Sequence, residues 1–198
     1  MSEKTERLGS WEAGAFDSTL SDMNVGMHRK RVVITGIGAI TPLGQDSDKF
    51  WEHLVAGKSG IGPMTLCDPT GYPCQIAGEV RDFDPIKFIS SRDARRMARF
   101  SQMAVAAGLE AVEAAGLDIN KEEAHRVGVV LGNGNGGFPT LEENCRILAS
   151  KGGMRMSPFF FPMILPNMAA ANVSHFVGAK GYNSTVSTAC AASNQAIG

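Results

Sequence analysis

Three short runs along the chain are rich in β-branched and other apolar residues, and each is followed by a turn and a stretch with helical features. The runs are Arg31–Gly36 (RVVITG), Val127–Leu131 (VGVVL) and Asn183–Ser187 (NSTVS). Runs of this length, bounded by turn residues, are typical of strands inside a parallel sheet. The alternation of strand and helix therefore predicts an α/β fold with a mainly parallel sheet.

Capping residues and glycines set the bounds of the predicted helices. The first helix is predicted from a cap at Asp46 or Ser47 to about Ala56, where Gly57 ends it. A helix rich in alanine and methionine is predicted over about Arg92–Ala115. The remaining predicted elements are one short strand and three helices, near Gln75–Val80, Thr140–Ser150, Asn167–Val177 and Thr188–Gly198.

Charge, hydropathy and cysteine usage exclude several classes of protein. The net charge is −1 and 43% of the 198 residues are hydrophobic. One sizeable core can form, but no bulk charge favours nucleic acid or an anionic membrane. No apolar run reaches about 18 residues, so no spanning helix is predicted. The four cysteines (Cys67, Cys74, Cys145, Cys190) match no zinc or CxxC spacing, so we expect free thiols, no metal and a cytoplasmic location.

The two ends of the chain depart from the strand and helix pattern. Residues 1–26 hold five acidic and two basic residues and no apolar segment, which excludes a signal or transit peptide. We predict a disordered acidic extension or a mis-called start, with Met27 as the true one. The chain stops at Gly198 inside a helical pattern. We therefore expect residues 27–198 to be a truncated domain of a longer protein.

Two glycine-rich turns could bind a ligand. In the turn Gly36–Gly44 a dinucleotide fingerprint would need glycine where Thr41 stands, so a packing turn is favoured there. The loop Gly132–Gly137 (GNGNGG) could cradle a phosphate through its amides, although no Lys-Ser/Thr pair follows. A tight turn or the wall of an apolar ligand channel explains the second loop equally well.

Cys190 stands between a predicted strand and a predicted helix. A helix N-terminus stabilises a thiolate, and its free amides can hold an oxyanion. Small neighbours such as Ala189 and Ala191 leave room for a substrate beside the sulfur. A cysteine among alanines is, however, more often an inert buried residue, so the local sequence leaves both interpretations open.

The segment Val186–Ser193 (VSTACAAS) is similar to the active-site signature of β-ketoacyl synthases that act on acyl carrier protein (ACP). Other segments resemble landmarks of that family in the same order: 31–44 (RVVITGIGAITPLG), 59–61 (SGI), 91–100 (SRDARRMARF), 131–137 (LGNGNGG), 141–144 (LEEN) and 157–170 (SPFFFPMILPNMAA). The resemblance covers essentially all of 27–198, and the subgroup it resembles most is ketoacyl synthase II.

The resemblance implies a thiolase fold, layered α-β-α-β-α in the complete enzyme, of which this chain would hold mainly the first α/β half. It implies a homodimer in which Cys190 takes an acyl group from acyl-ACP as a thioester. Malonyl-ACP then loses carbon dioxide, and its carbanion attacks the thioester, as in fatty acid biosynthesis. No cofactor is expected, because the substrates are carried on the phosphopantetheine of ACP. The two histidines and the lysine of the family's site would follow Gly198, so the chain alone is expected to be inactive.

The resemblance also assigns candidate binding residues. Asn135 falls at the acyl channel, where ketoacyl synthase II enzymes usually carry an apolar side chain, and this departure leaves the preferred chain length open. Phe160 would line the channel floor from across the dimer interface, and Ala189 matches a small pocket residue.

Three arginines, Arg92, Arg95 and Arg96, are spaced to share one face of the predicted helix. The resemblance makes them a docking face for acidic ACP, and a solvated basic face is the alternative. Two other functions remain open. One is a thiolase-like enzyme on coenzyme A thioesters, and the other is a non-catalytic partner subunit of a condensing enzyme. The missing half of the sheet would leave apolar surface exposed, which predicts poor solubility of the chain alone.

Overall fold

The computed structural model describes residues 31–198. The chain divides into two units, and Ile34–Gly198 is the larger one. Of the other unit, Met1–Val33, only residues 31–33 are described. Both interpretations of residues 1–26 lie outside the described residues and stay predictions.

The strand predicted over Arg31–Gly36 does not form, so this prediction is wrong. Residues 31–40 have no strand or helix, because a strand needs a hydrogen-bonded neighbour and this segment has none among the described residues. Its glycines instead allow a close crossing of a helix. A Cβ added to Gly36 would lie 2.2 Å from the carbonyl oxygen of Ala111, and one added to Gly38 would lie 2.0 Å from that of Ala107. The turn is therefore a packing turn.

Helix α1 spans Ser47–Val55, close to the predicted bounds. Asp46 caps its start by accepting a hydrogen bond from the backbone N–H of Lys49. Gly57, just beyond its end, has a φ of +66°, which ends the helix. An antiparallel pair follows, made of β1 (Ile61–Pro63) and β2 (Ile76–Gly78). The short strand near Gln75–Val80 is thus confirmed, whereas its partner β1 was not predicted.

The helix predicted over Arg92–Ala115 is two helices, α2 (Ser91–Ala94) and α3 (Arg99–Ala114). The side chain of Ser90 caps α2 by accepting from the backbone N–H of Asp93. The Gln102 amide nitrogen donates to the carbonyl oxygens of Ala94 (2.8 Å) and Met97 (3.1 Å). These bonds satisfy carbonyls that the break in the helix would otherwise leave without partners.

The parallel sheet consists of β3 (Val129–Gly132) and β4 (Asn183–Val186), with Val129 opposite Asn183. The crossover between the strands contains α4 (Phe138–Lys151), α5 (Phe160–Ile164) and α6 (Met168–Val177). Helix α7 (Ala192–Ile197) follows β4. The predicted α/β alternation and parallel pairing are therefore confirmed for the second and third of the three predicted strands.

The core lies where α3 packs against α6. Val105, Ala106, Ala169 and Ala170 are fully buried there. Small residues let the two backbones approach, and a Cβ added to Gly108 would lie 3.1 Å from a methyl carbon of Val173. This helix pair supports the sheet that carries the candidate site. Among residues 31–198 no helix is both long and apolar enough to cross a lipid bilayer.

Candidate active site

Cys190 lies at the centre of a sharp turn between β4 and α7. The turn is a single 3₁₀ turn over Ala189–Ala191. Ala189 has a φ of +50° and is the one non-glycine residue with positive φ in the part of the chain that the structure describes. This conformation costs roughly 1–3 kcal/mol and tends to cluster at functional sites. A sharp, strained turn between a strand and a helix is also the place where other enzymes hold an exposed nucleophile.

Cys190 is exposed, so the interpretation of a buried cysteine is wrong for the structure of residues 31–198. Cys67, Cys74 and Cys145 are also free and exposed, so exposure alone does not single out Cys190. Its own backbone N–H makes no backbone hydrogen bond within residues 31–198. That amide can therefore donate to an oxygen of a ligand bound at the sulfur.

The glycine-rich loop after β3 lies directly against the cysteine turn. The backbone N–H of Asn133 donates to the carbonyl oxygen of Val186 (2.9 Å), which continues the parallel ladder. A Cβ added to Gly134 would lie 3.5 Å from the carbonyl oxygen of Ala189, and one added to Gly132 would lie 2.4 Å from the backbone of Ala192. Gly132 thus serves close backbone approach, and the loop packs against the turn that carries Cys190.

The predicted residue Ala189 contacts this loop at Gly134, and the predicted residue Asn135 is the next residue along the loop. Asn135 is exposed on the same loop, next to Gly134. The Asn133 side chain fixes the loop from its other side by donating to the carbonyl oxygen of Pro166 (2.9 Å).

Phe160 is the first residue of α5 and is half-buried. Its ring meets that of Phe161 edge-on at 5.2 Å between centroids. The far end of α5 touches the glycine-rich loop, since a Cβ added to Gly137 would lie 2.6 Å from the Cα of Ile164. The structure therefore links Phe160 to the cysteine turn through α5 and the loop.

The three arginines do not share one helix face, and this prediction is wrong. Arg92 is in α2, Arg95 is the residue that ends it, and Arg96 lies beyond it. Arg92 and Arg95 are exposed and make no ion pair within residues 31–198. Arg96 is half-buried, with its guanidinium carbon 4.8 Å from the centroid of the Phe159 ring.

Asn144 is a buried polar residue that the sequence analysis did not select. It is 5% exposed, its amide nitrogen donates to the carbonyl oxygen of Thr140, and its amide oxygen accepts from the backbone N–H of Ser157. Asn144 thus fixes the start of the segment that contains Phe160. Asn144 stands in the LEEN segment, but the local sequence does not reveal its role, because its partner Ser157 lies beyond the end of α4.

Comparison with known proteins assigns the chain to a family. The sequence matches the family described as β-ketoacyl synthase, N-terminal domain, over residues 29–198. The chain therefore belongs to the β-ketoacyl synthase family. With the geometry above, this confirms the predicted α/β architecture as the N-terminal part of a thiolase fold.

Two curated relatives and one solved structure show the extent of the likeness. The 3-oxoacyl-[acyl-carrier-protein] synthase 2 of Synechocystis sp. is 45% identical over 172 residues, 87% of this chain and 41% of that protein. The protein of the same name from Staphylococcus aureus (strain COL) is 46% identical over 169 residues, 85% of this chain and 41% of that protein.

The solved structure is a type II PKS acyl-carrier protein in complex with its ketosynthase bound to the hexaketide (AntDE:AntF). It is similar with a TM-score of 0.70 and 32% identity, over 86% of this chain and 45% of that one. The chain spans about two fifths of the length of the curated relatives it matches.

Proposed function

We propose that the protein containing this chain elongates acyl-ACP by decarboxylative Claisen condensation with malonyl-ACP in fatty acid biosynthesis, through an acyl thioester on Cys190. The observation that carries the proposal is the exposed Cys190 on a strained turn, against which the glycine-rich loop packs. The curated relatives named 3-oxoacyl-[acyl-carrier-protein] synthase 2 support the reaction class.

In the first step the Cys190 sulfur, as thiolate, attacks the thioester carbonyl of acyl-ACP. A carbon–sulfur bond to Cys190 forms, the bond to the carrier sulfur breaks, and the carrier thiol leaves with the proton that the cysteine gave up. The backbone N–H of Cys190 makes no backbone hydrogen bond within residues 31–198, which supports a role for it in stabilising the oxyanion formed in between.

In the second step malonyl-ACP loses carbon dioxide, and the resulting carbanion attacks the acyl group on Cys190. The cysteine thiolate leaves, and β-ketoacyl-ACP is released. We propose that two histidines and a lysine from the rest of the protein promote this step, and that residues 31–198 supply the nucleophile and part of the channel. The proposal needs no metal or organic cofactor beyond the carrier's phosphopantetheine.

Asn135, Phe160 and Ala189 are proposed to line the acyl channel. Contact of the Asn135 loop with the Ala189 backbone supports the first and third of them, and Phe160 is proposed to reach the channel of a second copy, as the resemblance implies. Phe161, adjacent to Phe160, is 66% exposed, which supports our proposal that this segment contacts a second copy in a homodimer.

Acidic ACP is proposed as the partner, with Arg92 and Arg95 as exposed cationic docking residues. The similar ketosynthase that was solved in complex with an acyl-carrier protein supports this choice of partner. A cytoplasmic location belongs to the same proposal, supported by free thiols at all four cysteines.

Acylation of Cys190 tests the proposed function. Incubation of the full protein with hexadecanoyl-ACP should add one acyl group, which intact-mass and peptide mass spectrometry should locate on Cys190. Cys190→Ser should abolish the adduct, since a serine hydroxyl is far less nucleophilic than a thiolate. Cys145→Ser, which removes another exposed thiol, should leave acylation unchanged. An adduct that persists in Cys190→Ser would contradict the assignment.

The same chemistry in polyketide assembly is a second candidate, favoured by the likeness to a type II polyketide ketosynthase. Product analysis separates the two, because fatty acid synthesis reduces the β-keto group after each elongation whereas a polyketide synthase retains several. Failure of any acyl donor to modify Cys190 would instead favour the non-catalytic partner subunit.

A further inference from the structure

We infer that Arg96 is a positioning residue for the acyl channel and that its contact with Phe159 helps to set the acyl-chain length that Cys190 accepts. The inference rests on the proposed function, and it separates Arg96 from its neighbours Arg92 and Arg95.

Arg96 differs from Arg92 and Arg95 in its burial and in its contact. Helix α2 ends at Ala94, so Arg96 does not continue the exposed helical face on which Arg92 lies. It is half-buried, and its guanidinium lies over the face of the Phe159 ring at 4.8 Å. A cation over an aromatic face is held by the ring quadrupole and gains strength when partly shielded from water.

Phe159 is held by hydrogen bonds to its backbone as well as by Arg96. The backbone N–H of Phe159 donates to the Ser157 hydroxyl (3.2 Å), and the backbone N–H of Ser157 donates to the Asn144 side chain (3.2 Å). Asn144 therefore fixes the backbone of this segment, while Arg96 fixes the ring. Phe160 is the next residue along the chain, so its ring position depends on both restraints.

The segment that contains Phe159 and Phe160 is linked to the nucleophile through α5 and the glycine-rich loop. The end of α5 contacts the glycine-rich loop at Gly137, and Gly134 of that loop contacts Ala189 beside Cys190. A shift of α5 after loss of the Arg96 contact would therefore alter the space available to an acyl chain on the sulfur. The intrinsic reactivity of the thiol should stay the same, because no atom of Cys190 is involved.

A matched pair of variants tests the inference, since Arg95→Gln and Arg96→Gln each remove one positive charge. Cys190 acylation is measured in the full protein with butanoyl and hexadecanoyl donors, each as the ACP thioester and as the coenzyme A thioester. We expect Arg95→Gln to slow ACP-dependent acylation by the same factor for both chains and to leave the coenzyme A reactions unchanged.

For Arg96→Gln we expect the ratio of hexadecanoyl to butanoyl acylation to change by at least about threefold with both donors. Arg96→Lys keeps a cation over the ring and should restore most of the original ratio. Phe159→Leu removes the other partner and should reproduce the Arg96→Gln change. An unchanged rate of Cys190 alkylation by iodoacetamide verifies that each variant has kept its fold around the thiol.

Two results would overturn the inference. One is a chain-length ratio that stays unchanged in Arg96→Gln and Phe159→Leu. The other is an Arg96→Gln variant that behaves like Arg95→Gln, with equal slowing of both chains and only with ACP donors, which would make Arg96 a docking residue. A parent protein that no donor acylates removes the proposed function itself, and this is seen before any variant is compared.

Discussion

Glu79 holds the loop that joins β1 to β2. Its carboxylate accepts hydrogen bonds from the backbone N–H groups of Leu66 and Thr65 and from the Thr65 hydroxyl, and it pairs with Arg81. These donors, the Leu66 and Thr65 amides first, lower the pKa of Glu79 from 4.5 to about 2. The folded state therefore prefers the charged form.

The lowered pKa of Glu79 predicts a pH-dependent contribution to stability. The contribution is complete above about pH 4.5, the unfolded value, and is lost as the pH falls toward 2. Glu79→Gln should therefore lower the urea unfolding midpoint at pH 7, and the gap to the parent should narrow at pH 3. Glu143→Gln, which removes an exposed carboxylate from α4, should show no such narrowing. A gap that stays constant with pH would contradict this role.

Single residues were predictable from the sequence where their role is local. Cys190 and Ala189 stand in one short segment, so the turn they form could be expected from that segment alone. Arg96 was misplaced because its partner Phe159 lies far along the chain, and no spacing rule brings the two together. Asn144 was missed for the same reason, since its partner Ser157 lies beyond the end of α4.

At the level of elements, one side chain of α3 holds the turn that precedes α1. Glu110 accepts the backbone N–H of Ala39 at 2.9 Å and that of Ser47 at 2.6 Å. The first amide belongs to the packing turn and the second to the first residue of α1. Glu110 thus joins three parts of the fold that are distant in sequence.

Loss of the Glu110 carboxylate should loosen this junction. Glu110→Ala leaves two partly buried amides without acceptors, which we expect to cost about 2 kcal/mol. Hydrogen exchange at Ala39 and Ser47, followed by NMR, should become at least roughly tenfold faster. Glu110→Gln keeps one acceptor and should show a smaller effect. Glu113→Ala, at an exposed position on the same helix, is the control and should leave both amides protected.

Elements with clear end signals were predicted well, whereas elements that depend on distant partners were not. Asp46 and Gly57 bracket α1, and Gly178 ends α6 with a φ of +80°. The apolar run at Arg31–Gly36 encodes a preference for burial but not the neighbouring strand that a ladder needs. The break after α2 depends on the Gln102 side chain, which an apolar pattern cannot reveal.

Residues 31–198 expose more large apolar side chains than a self-sufficient domain of this size would be expected to tolerate. Trp51 on α1 is 64% exposed and Ile197 on α7 is 84% exposed. On the two-stranded parallel sheet, Val130 is 42% exposed, although parallel sheets are normally covered on both faces.

This exposure predicts that the 198-residue chain, expressed alone, self-associates. Sedimentation velocity should show species larger than 21.0 kDa whose share grows with protein concentration. The full protein should show a single species of constant size over the same range. A chain that stays monodisperse at its monomer mass and melts cooperatively would contradict this prediction.

The pairing of Val129 with Asn183 sets an order of events during synthesis on the ribosome. A parallel ladder closes only after its whole crossover has been made, and this closure costs entropy before any pairing compensates for it. Strand β3 therefore waits, unpaired, while α4, α5 and α6 emerge. The turn that carries Cys190 follows β4 directly, so it takes its strained shape late. Pulse labelling of that thiol on stalled nascent chains would report when this segment of the protein has finished folding.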